Sequence, residues 1–150
     1  MRLVIQRVTR ASVSIAGSVH SSIDAGMMVL VGVETGDTPA DVEWLAGKVA
    51  ALRIFNDEAG VMNRSIIDVG GDLLAVSQFT LTASTRKGNR PSYIRAARPE
   101  EAVPLYELFC SMMEERLGKE VKRGVFGADM QVGLINDGPG TIIIDSRLKE

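Results

Sequence analysis

The feature that most constrains the fold is an almost uninterrupted apolar run over residues 27–33, with only Gly32 inside it. The run is far too short to cross a bilayer, which takes roughly 20 apolar residues in a helix. Because consecutive residues are apolar, rather than every second one, the run is typical of a strand that is buried on both faces. It therefore predicts a central strand of a covered sheet.

Other segments predict strands beside this one. Residues 2–15 are rich in β-branched side chains and alternate in polarity, and residues 20–23 predict a returning strand after a turn at Gly17. Residues 53–55 predict a short strand, and residues 73–81 predict a further one. The last two predicted strands, residues 130–135 and 141–144, are separated by the turn-like residues 136–140.

Two helices are predicted from their end signals. Thr38 followed by Pro39 is typical of a helix start, and a second helix begins near Pro99 and ends at Gly118. With about seven strands and mostly short connections, we expect an α+β fold: an antiparallel or mixed sheet, or a partial barrel, packed by two main helices. A chain of 150 residues with 45% hydrophobic residues suits one domain, residues 1–150.

Charge is unevenly distributed in a chain whose net charge is only −2. One window without acidic residues, and a second group further along, collect basic side chains. They are Arg86, Lys87, Arg90, Arg95 and Arg98 in the first, and Arg116, Lys119, Lys122 and Arg123 in the second. Such patches can hold phosphates, and an ordinary solvated surface is an equal alternative.

The common catalytic machinery is missing from the sequence. A single histidine, His20, and a single cysteine, Cys110, leave no material for a disulfide, a histidine-based nucleophile site or a zinc site. The apolar neighbours of Cys110 predict a small buried side chain. We expect no metal, no organic cofactor, no membrane partner and a cytoplasmic location. An enzyme of this composition would use main-chain groups, hydroxyls, amides or its own substrate.

Three ordered segments carry a resemblance to a known family: residues 77–81 (SQFTL), 87–93 (KGNRPSY) and 136–141 (NDGPGT). Together with residues 6–8, 52–57, 62–63 and 126–130, they resemble the D-aminoacyl-tRNA deacylases of the bacterial and eukaryotic type. The resemblance spans essentially the whole chain. It implies hydrolysis of the ester bond between a D-amino acid and the 3′ end of tRNA.

The resemblance also implies roles for individual residues. Four residues would form the catalytic wall, four would bind the substrate and select its handedness, and two would bind tRNA. The catalytic wall would consist of Ser77, Gln78, Phe79 and Thr80. The substrate-binding and selecting residues would be Gly138, Pro139, Arg7 and Met130. The tRNA-binding residues would be Lys87 and Arg90. In the family the Gly-Pro peptide bond is cis and enters the active site of the partner subunit in a homodimer. Its carbonyls exclude L-amino acids, while glycine, which has no side chain, would also be accepted.

Some alternatives stay open at this point. Gly140 stands where the family usually has valine, and glycine increases the backbone freedom of this segment. Thr80 is either a nucleophile or, as we prefer, a positioning group for a water assisted by the ribose 2′-OH. Two other functions also stay open. One is an editing deacylase of another specificity, related to the archaeal threonyl-tRNA synthetase editing domain, and the other is a non-catalytic RNA-binding module.

Overall fold

The apolar run forms the centre of the sheet in a computed structural model that describes residues 1–150. It is strand β3, Gly26–Gly32, which is buried along almost its whole length. The other strands of this sheet are β1 (Arg2–Ile15), β2 (Ser18–Ile23), β6 (Asp72–Ser77), β7 (Lys122–Arg123) and β8 (Gln131–Asp145). The order is β2-β1-β3-β6-β7, with β8 paired to β1. Strand β3 is antiparallel to β1 and parallel to β6, so the sheet is mixed.

The sheet curls until its two edges meet. Leu3 and Ile5 of β1 belong to the larger core cluster, whereas Ala11 and Val13 belong to a second, smaller cluster. The side chains change face because β1 has one extra residue between Val8 and Arg10, where its register against β8 shifts. A hydrogen bond of 2.7 Å from the Ser21 hydroxyl in β2 to the Arg123 carbonyl in β7 joins the two edges. The predicted α+β fold with a mixed, partly closed sheet is confirmed.

Helices cover the outer face of the sheet. The two long ones are α1, Pro39–Ala51, and α3, Pro99–Leu117, and a single turn, α2, spans Ile66–Val69. Their buried residues complete the larger core cluster. Gly118 ends α3 in the left-handed conformation, with a φ of 68°, at the predicted residue. No helix has both the length and the apolar character that a membrane crossing requires.

Some sequence predictions were incomplete. The single turn α2, strand β5 (Met62–Arg64) and strand β7 were missed, since segments this short carry little periodicity. The short strand predicted over residues 53–55 overlaps β4 (Phe55–Asn56), which pairs with β5 in a hairpin. The strands predicted at residues 130–135 and 141–144 both pair with β1. They form the one strand β8, interrupted opposite Arg7.

The strand predicted over residues 73–81 is wrong beyond Ser77. Strand β6 ends there, and Phe79–Thr82 form a short 3-10 helix. The turn packs over Gly32, where an added Cβ would lie 2.9 Å from the Leu81 Cβ and 3.1 Å from the Gln78 carbonyl oxygen. Alternating polarity in residues 77–81 suggested a strand, but the space above Gly32 lets the chain turn instead.

Candidate active site

A cavity of about 310 Å³ opens where the parallel strands β3 and β6 end. Ser77, Gln78 and Phe79 form one wall of it, because they follow directly on the buried end of β6. Residues 126–130 and Tyr106 of α3 also line it. The carboxyl ends of parallel strands are a common place for a ligand site.

The Ser77–Thr80 segment supplies hydroxyl, amide and main-chain groups to this region. The Gln78 side-chain amide donates to the Thr80 hydroxyl over 2.5 Å. Phe79 lines the cavity and is 54% exposed, whereas Thr80 is half-buried and lies outside the lining. The structure therefore joins Thr80 to the cavity through Gln78, and no basic side chain contacts its hydroxyl.

Tyr106 is a lining residue that the sequence did not reveal as one. Its hydroxyl donates to the Ala75 carbonyl over 2.9 Å, and its ring lies 6.2 Å from that of Phe126. Burial raises the pKa of Tyr106, so its hydroxyl stays protonated and cannot serve as a base at neutral pH. The sequence predicted Tyr106 on the apolar stripe of the helix. A buried tyrosine hydroxyl needs a hydrogen-bond acceptor, and this need was the one sign in the sequence that Tyr106 does more than pack.

Cys110 lies one turn further along α3 and is fully buried, as its apolar neighbours predict. Burial is the largest influence on its thiol and raises its pKa to about 11. A thiolate is the reactive form of cysteine. The thiol is therefore an unreactive packing group behind the cavity.

Met130 reaches the cavity because the facing residue is a glycine. An added Cβ at Gly124 would lie 2.6 Å from the Met130 sulfur. The Gly124 N–H donates to the Ala75 carbonyl over 2.9 Å, which keeps this segment close to β6. Gly124 therefore leaves room for the Met130 side chain at the cavity.

The Gly-Pro segment forms a bulge on the exposed strand β8. Gln6 pairs with Thr141 and Val8 pairs with Asn136, so residues 137–140 all lie opposite the single residue Arg7. We call residues 137–140 the Gly-Pro bulge. The peptide bond between Gly138 and Pro139 is cis, as the resemblance implies. Both residues are exposed.

Two side chains hold the Gly-Pro bulge. Arg7 Nε donates to the Asp137 carbonyl over 3.0 Å, and Arg7 Nη1 donates to the buried Ile54 carbonyl over 2.7 Å. Asn136 spans the base of the bulge, donating to the Thr141 hydroxyl over 2.9 Å and accepting from the Gly140 N–H over 2.8 Å. The sequence singled out Arg7 but gave Asn136 no separate role.

The two glycines of the bulge differ in what they require. Gly138 has a φ of 124°, and an added Cβ there would lie 2.5 Å from Arg7 Nη2, so only glycine fits. At Gly140 the nearest atoms to an added Cβ are the Arg7 Cβ and the Asp137 carbonyl oxygen, both at 3.4 Å. Position 140 therefore accepts a side chain, and glycine there is not required by the backbone.

The basic residues fall into two kinds. Arg86, Lys87 and Arg90 are exposed on the segment beyond Ser84 and make no ion pair within the chain. In the second basic group most charges are paired within the chain: Lys119 with Asp72, Lys122 with Glu120 and Arg123 with Glu114. The first group therefore has more positive charge that is not neutralised within the chain.

The structure thus brings together part of the predicted site. Ser77, Gln78, Phe79 and Met130 line one cavity. Arg7, Gly138 and Pro139 form a separate group on the β1–β8 side and do not line the cavity of their own chain. Lys87 and Arg90 also lie outside the cavity lining. No group of three or more histidine, cysteine, aspartate or glutamate side chains is placed to hold a metal ion.

Fold and cavity together define the class: a small α+β protein with a nearly closed mixed sheet and a ligand-sized cavity at the ends of its parallel strands. The chain belongs to the D-Tyr-tRNA(Tyr) deacylase family, whose model matches residues 4–145.

Individual relatives agree with this assignment. A D-aminoacyl-tRNA deacylase of Porphyromonas gingivalis is 61% identical over 150 residues, covering 100% of both chains. One of Cytophaga hutchinsonii is also 61% identical, with the same coverage. A solved structure described as a c-Myc DNA unwinding element binding protein is 40% identical, has a TM-score of 0.91, and covers 97% of this chain and 98% of its own.

Proposed function

We propose that this protein hydrolyses the ester bond of D-aminoacyl-tRNA and releases the free D-amino acid and tRNA. The observation that carries the proposal is the cavity walled by Ser77, Gln78 and Phe79, the segment that the family resemblance assigns to catalysis. The named relatives support the same activity over the whole chain. A tRNA substrate also makes the cytoplasm the expected location.

Hydrolysis of an ester needs donors where negative charge develops on the carbonyl oxygen. Phe79 and Thr80 are the first residues of the 3-10 helix, and the first N–H groups of a helix have no acceptor within it. We assign their main-chain N–H groups to the oxyanion, with Ser77 and Gln78 assisting. The attacking group is a water activated by the 2′-OH of the terminal ribose.

Thr80 is a positioning group in this mechanism. Its hydroxyl already accepts a hydrogen bond from Gln78, and no base contacts it to make it a nucleophile. The variant Thr80→Ala should therefore keep measurable activity, with a loss of about 10-fold in kcat for one misplaced hydrogen bond. Single-turnover hydrolysis checks this, and complete loss in a folded variant would make Thr80 the nucleophile.

Handedness is selected by the Gly-Pro bulge of the partner subunit. Within one chain Gly138 and Pro139 do not line the cavity, so a homodimer is needed to bring them to the substrate. A main-chain carbonyl of Gly138 or Pro139, in the bulge that Arg7 supports through the Asp137 carbonyl, is a small, rigid obstacle. The side chain of an L-amino acid meets it and that of a D-amino acid avoids it. Glycine has no side chain to meet it, so glycine mischarged on tRNA is a second substrate.

Complementation between subunits tests the shared site. Gln78→Ala damages the cavity wall, and Arg7→Ala damages the support of the bulge. A heterodimer of the two variants still contains one cavity and one bulge that are both intact and face each other. We expect activity to return when the two inactive proteins are co-refolded. Activity of isolated monomers, or no recovery in verified heterodimers, contradicts the shared site.

The activity itself is tested with tRNA charged with D-tyrosine or with L-tyrosine, in the presence of EDTA. We expect rapid release of D-tyrosine and sparing of L-tyrosine. Equal release of both favours an editing deacylase of another specificity. Release of neither, with tRNA bound, favours a non-catalytic module.

Lys87 and Arg90 hold phosphates of the tRNA in this proposal, because they are exposed and unpaired. Binding should then weaken steeply with salt. The double variant Lys87→Ala/Arg90→Ala should lower the slope of log K against log salt by about 2, one for each lost contact. An unchanged slope would place the phosphates elsewhere.

DNA binding is a second candidate, because the solved structure with 40% identity is described as a DNA unwinding element binding protein. The same exposed cations would serve it. Titration of the protein with duplex DNA and with uncharged tRNA at the same salt concentration compares the two. Tighter binding to the duplex would favour this second candidate.

A further inference from the structure

The exposed ring of Tyr93, which lies against that of Phe79 beside the cavity, has no role in the activity proposed above. Phe79 is 54% exposed and Tyr93 is 42% exposed. Their ring centroids are 5.1 Å apart, with an angle of 72° between the rings. Phe79 lines the cavity and Tyr93 does not. The pair therefore extends an aromatic surface from the rim of the cavity to the outside of the protein.

Hydrogen bonds of the backbone hold the Tyr93 segment in place. The Tyr93 carbonyl accepts from the Ala96 N–H over 3.0 Å. Just before it, Ser84 and Ser92 exchange two main-chain hydrogen bonds of 2.8 Å each. Binding on a surface that is already ordered costs little conformational entropy. The Tyr93 ring is thus a preformed contact surface.

Positive charge lies on the chain segment directly before Tyr93. The segment that Ser84 and Ser92 close carries Arg86, Lys87 and Arg90, all exposed and without an ion pair in the chain. No acidic residue occurs between Arg86 and Arg98. Exposed aromatic rings beside a positively charged track are typical of surfaces that bind single-stranded nucleic acid, with bases stacked on the rings and phosphates on the cations.

We propose that Tyr93 stacks on the base of the nucleotide that precedes the esterified one in the unpaired 3′ end of tRNA. This inference rests on the proposed function, which places the esterified nucleotide in the cavity beside Phe79. The strand then leaves the cavity over the neighbouring ring, Tyr93, and its phosphates pass the cations of residues 86–90. Tyr93 is a positioning residue, because it contacts the substrate away from the reacting ester.

Two substrates separate this role from a structural one. D-tyrosyl-tRNA contains the preceding nucleotide, and D-tyrosyl-adenosine does not. For Tyr93→Ala we expect KM on D-tyrosyl-tRNA to rise about 5- to 150-fold, the range for loss of one base–aromatic stack. Its kcat should change less than about twofold, because the contact is equal in ground and transition states. On D-tyrosyl-adenosine the variant should match the wild-type protein.

Two further variants serve as controls. Tyr93→Phe keeps the ring and should restore the wild-type KM. Ile94→Ala removes an apolar side chain that is 85% exposed but has no aromatic face. Its KM should stay within about twofold of the wild-type value.

Several results would overturn the inference. An unchanged KM of Tyr93→Ala on D-tyrosyl-tRNA would exclude the stack. An equal loss on both substrates would mean that Tyr93 acts through Phe79 or the fold, and a change in dimer dissociation would mean that a second copy covers the ring. If the wild-type protein hydrolyses neither substrate, the proposed function fails and the stack with it. If it hydrolyses both and Tyr93→Ala behaves as the wild type, only the stack fails.

Discussion

The cavity wall and the Gly-Pro bulge are held in place in opposite ways. The wall follows β6, whose residues Leu73 to Val76 are all buried in the two core clusters. The bulge is exposed, and two side chains, Arg7 and Asn136, make its supporting hydrogen bonds. One region is positioned by many packing contacts that act together, and the other by a few hydrogen bonds that can be named.

The difference predicts where single substitutions act. In a close-packed core each contact contributes little free energy, and many neighbouring contacts remain when one is removed. At the bulge, removal of one donor leaves specific carbonyls without a partner. We therefore expect the supports of the bulge to be more sensitive than the wall, and expect that sensitivity to appear in the discrimination between D- and L-substrates.

The largest effect is expected for Arg7→Ala. It leaves the Ile54 and Asp137 carbonyls without their donor, and each lost partner costs about 1–3 kcal/mol where the carbonyl is buried. Urea denaturation should show a loss of about 2–5 kcal/mol. Hydrolysis of D-tyrosyl-tRNA should fall by about 100-fold or more, as is usual for a displaced reacting geometry.

Arg10→Ala is the matched control for this change. Arg10 lies on the same strand and is exposed, with no ion pair in the chain. Its loss should change the free energy of unfolding by less than about 0.5 kcal/mol. Equal effects of the two substitutions would mean that loss of a positive charge, and not loss of support for the bulge, lowers stability and activity.

The next largest effect on stability is expected at Gly138, and Gly140 serves as its comparison within the bulge. Gly138→Ala forces an L-residue to a φ of 124° and places its Cβ against Arg7, so a loss of about 2–3 kcal/mol is expected. At Gly140 a Cβ meets only ordinary contacts, and Gly140→Ala should change stability by less than about 1 kcal/mol. Thermal unfolding and the ratio of D- to L-tyrosine release measure both. If the two variants behave alike, the bulge is not held as the contacts with Arg7 indicate.

A smaller effect concerns the free energy of unfolding, which depends on pH through Cys110 beside the cavity wall. The pKa of Cys110 rises from 9.0 to about 11 on folding, chiefly through burial. Between these values the unfolded chain has lost the thiol proton and the folded chain has kept it. Stability is therefore full below pH 9 and falls as pH rises, by about 2 kcal/mol at pH 10.5.

Cys110→Ala removes this contribution, since alanine does not titrate. The difference in unfolding free energy between pH 8 and pH 10.5 should be about 2 kcal/mol smaller in the variant than in the wild type. Denaturation at the two pH values measures it. The same pH dependence in both proteins would assign the alkaline loss to other groups.

Local patterns in the sequence were sufficient for much of the fold. The apolar run became β3, the Thr38-Pro39 signal preceded α1, and Gly118 ended α3. Cys110 was predicted to be buried, and it is. These features depend on residues close in the chain, where periodicity and end signals carry the information.

The sequence by itself thus determined the central strand, the helix ends and the ordered motifs that carry the family. Only the tertiary structure decided which motifs meet. The register of β1 against β8 sets residues 137–140 opposite Arg7, across 130 residues of chain. Space above Gly32 turned the end of the predicted strand into the 3-10 helix at the cavity wall. A pattern of residues specifies what its own segment can form, whereas strand register and packing space depend on distant residues.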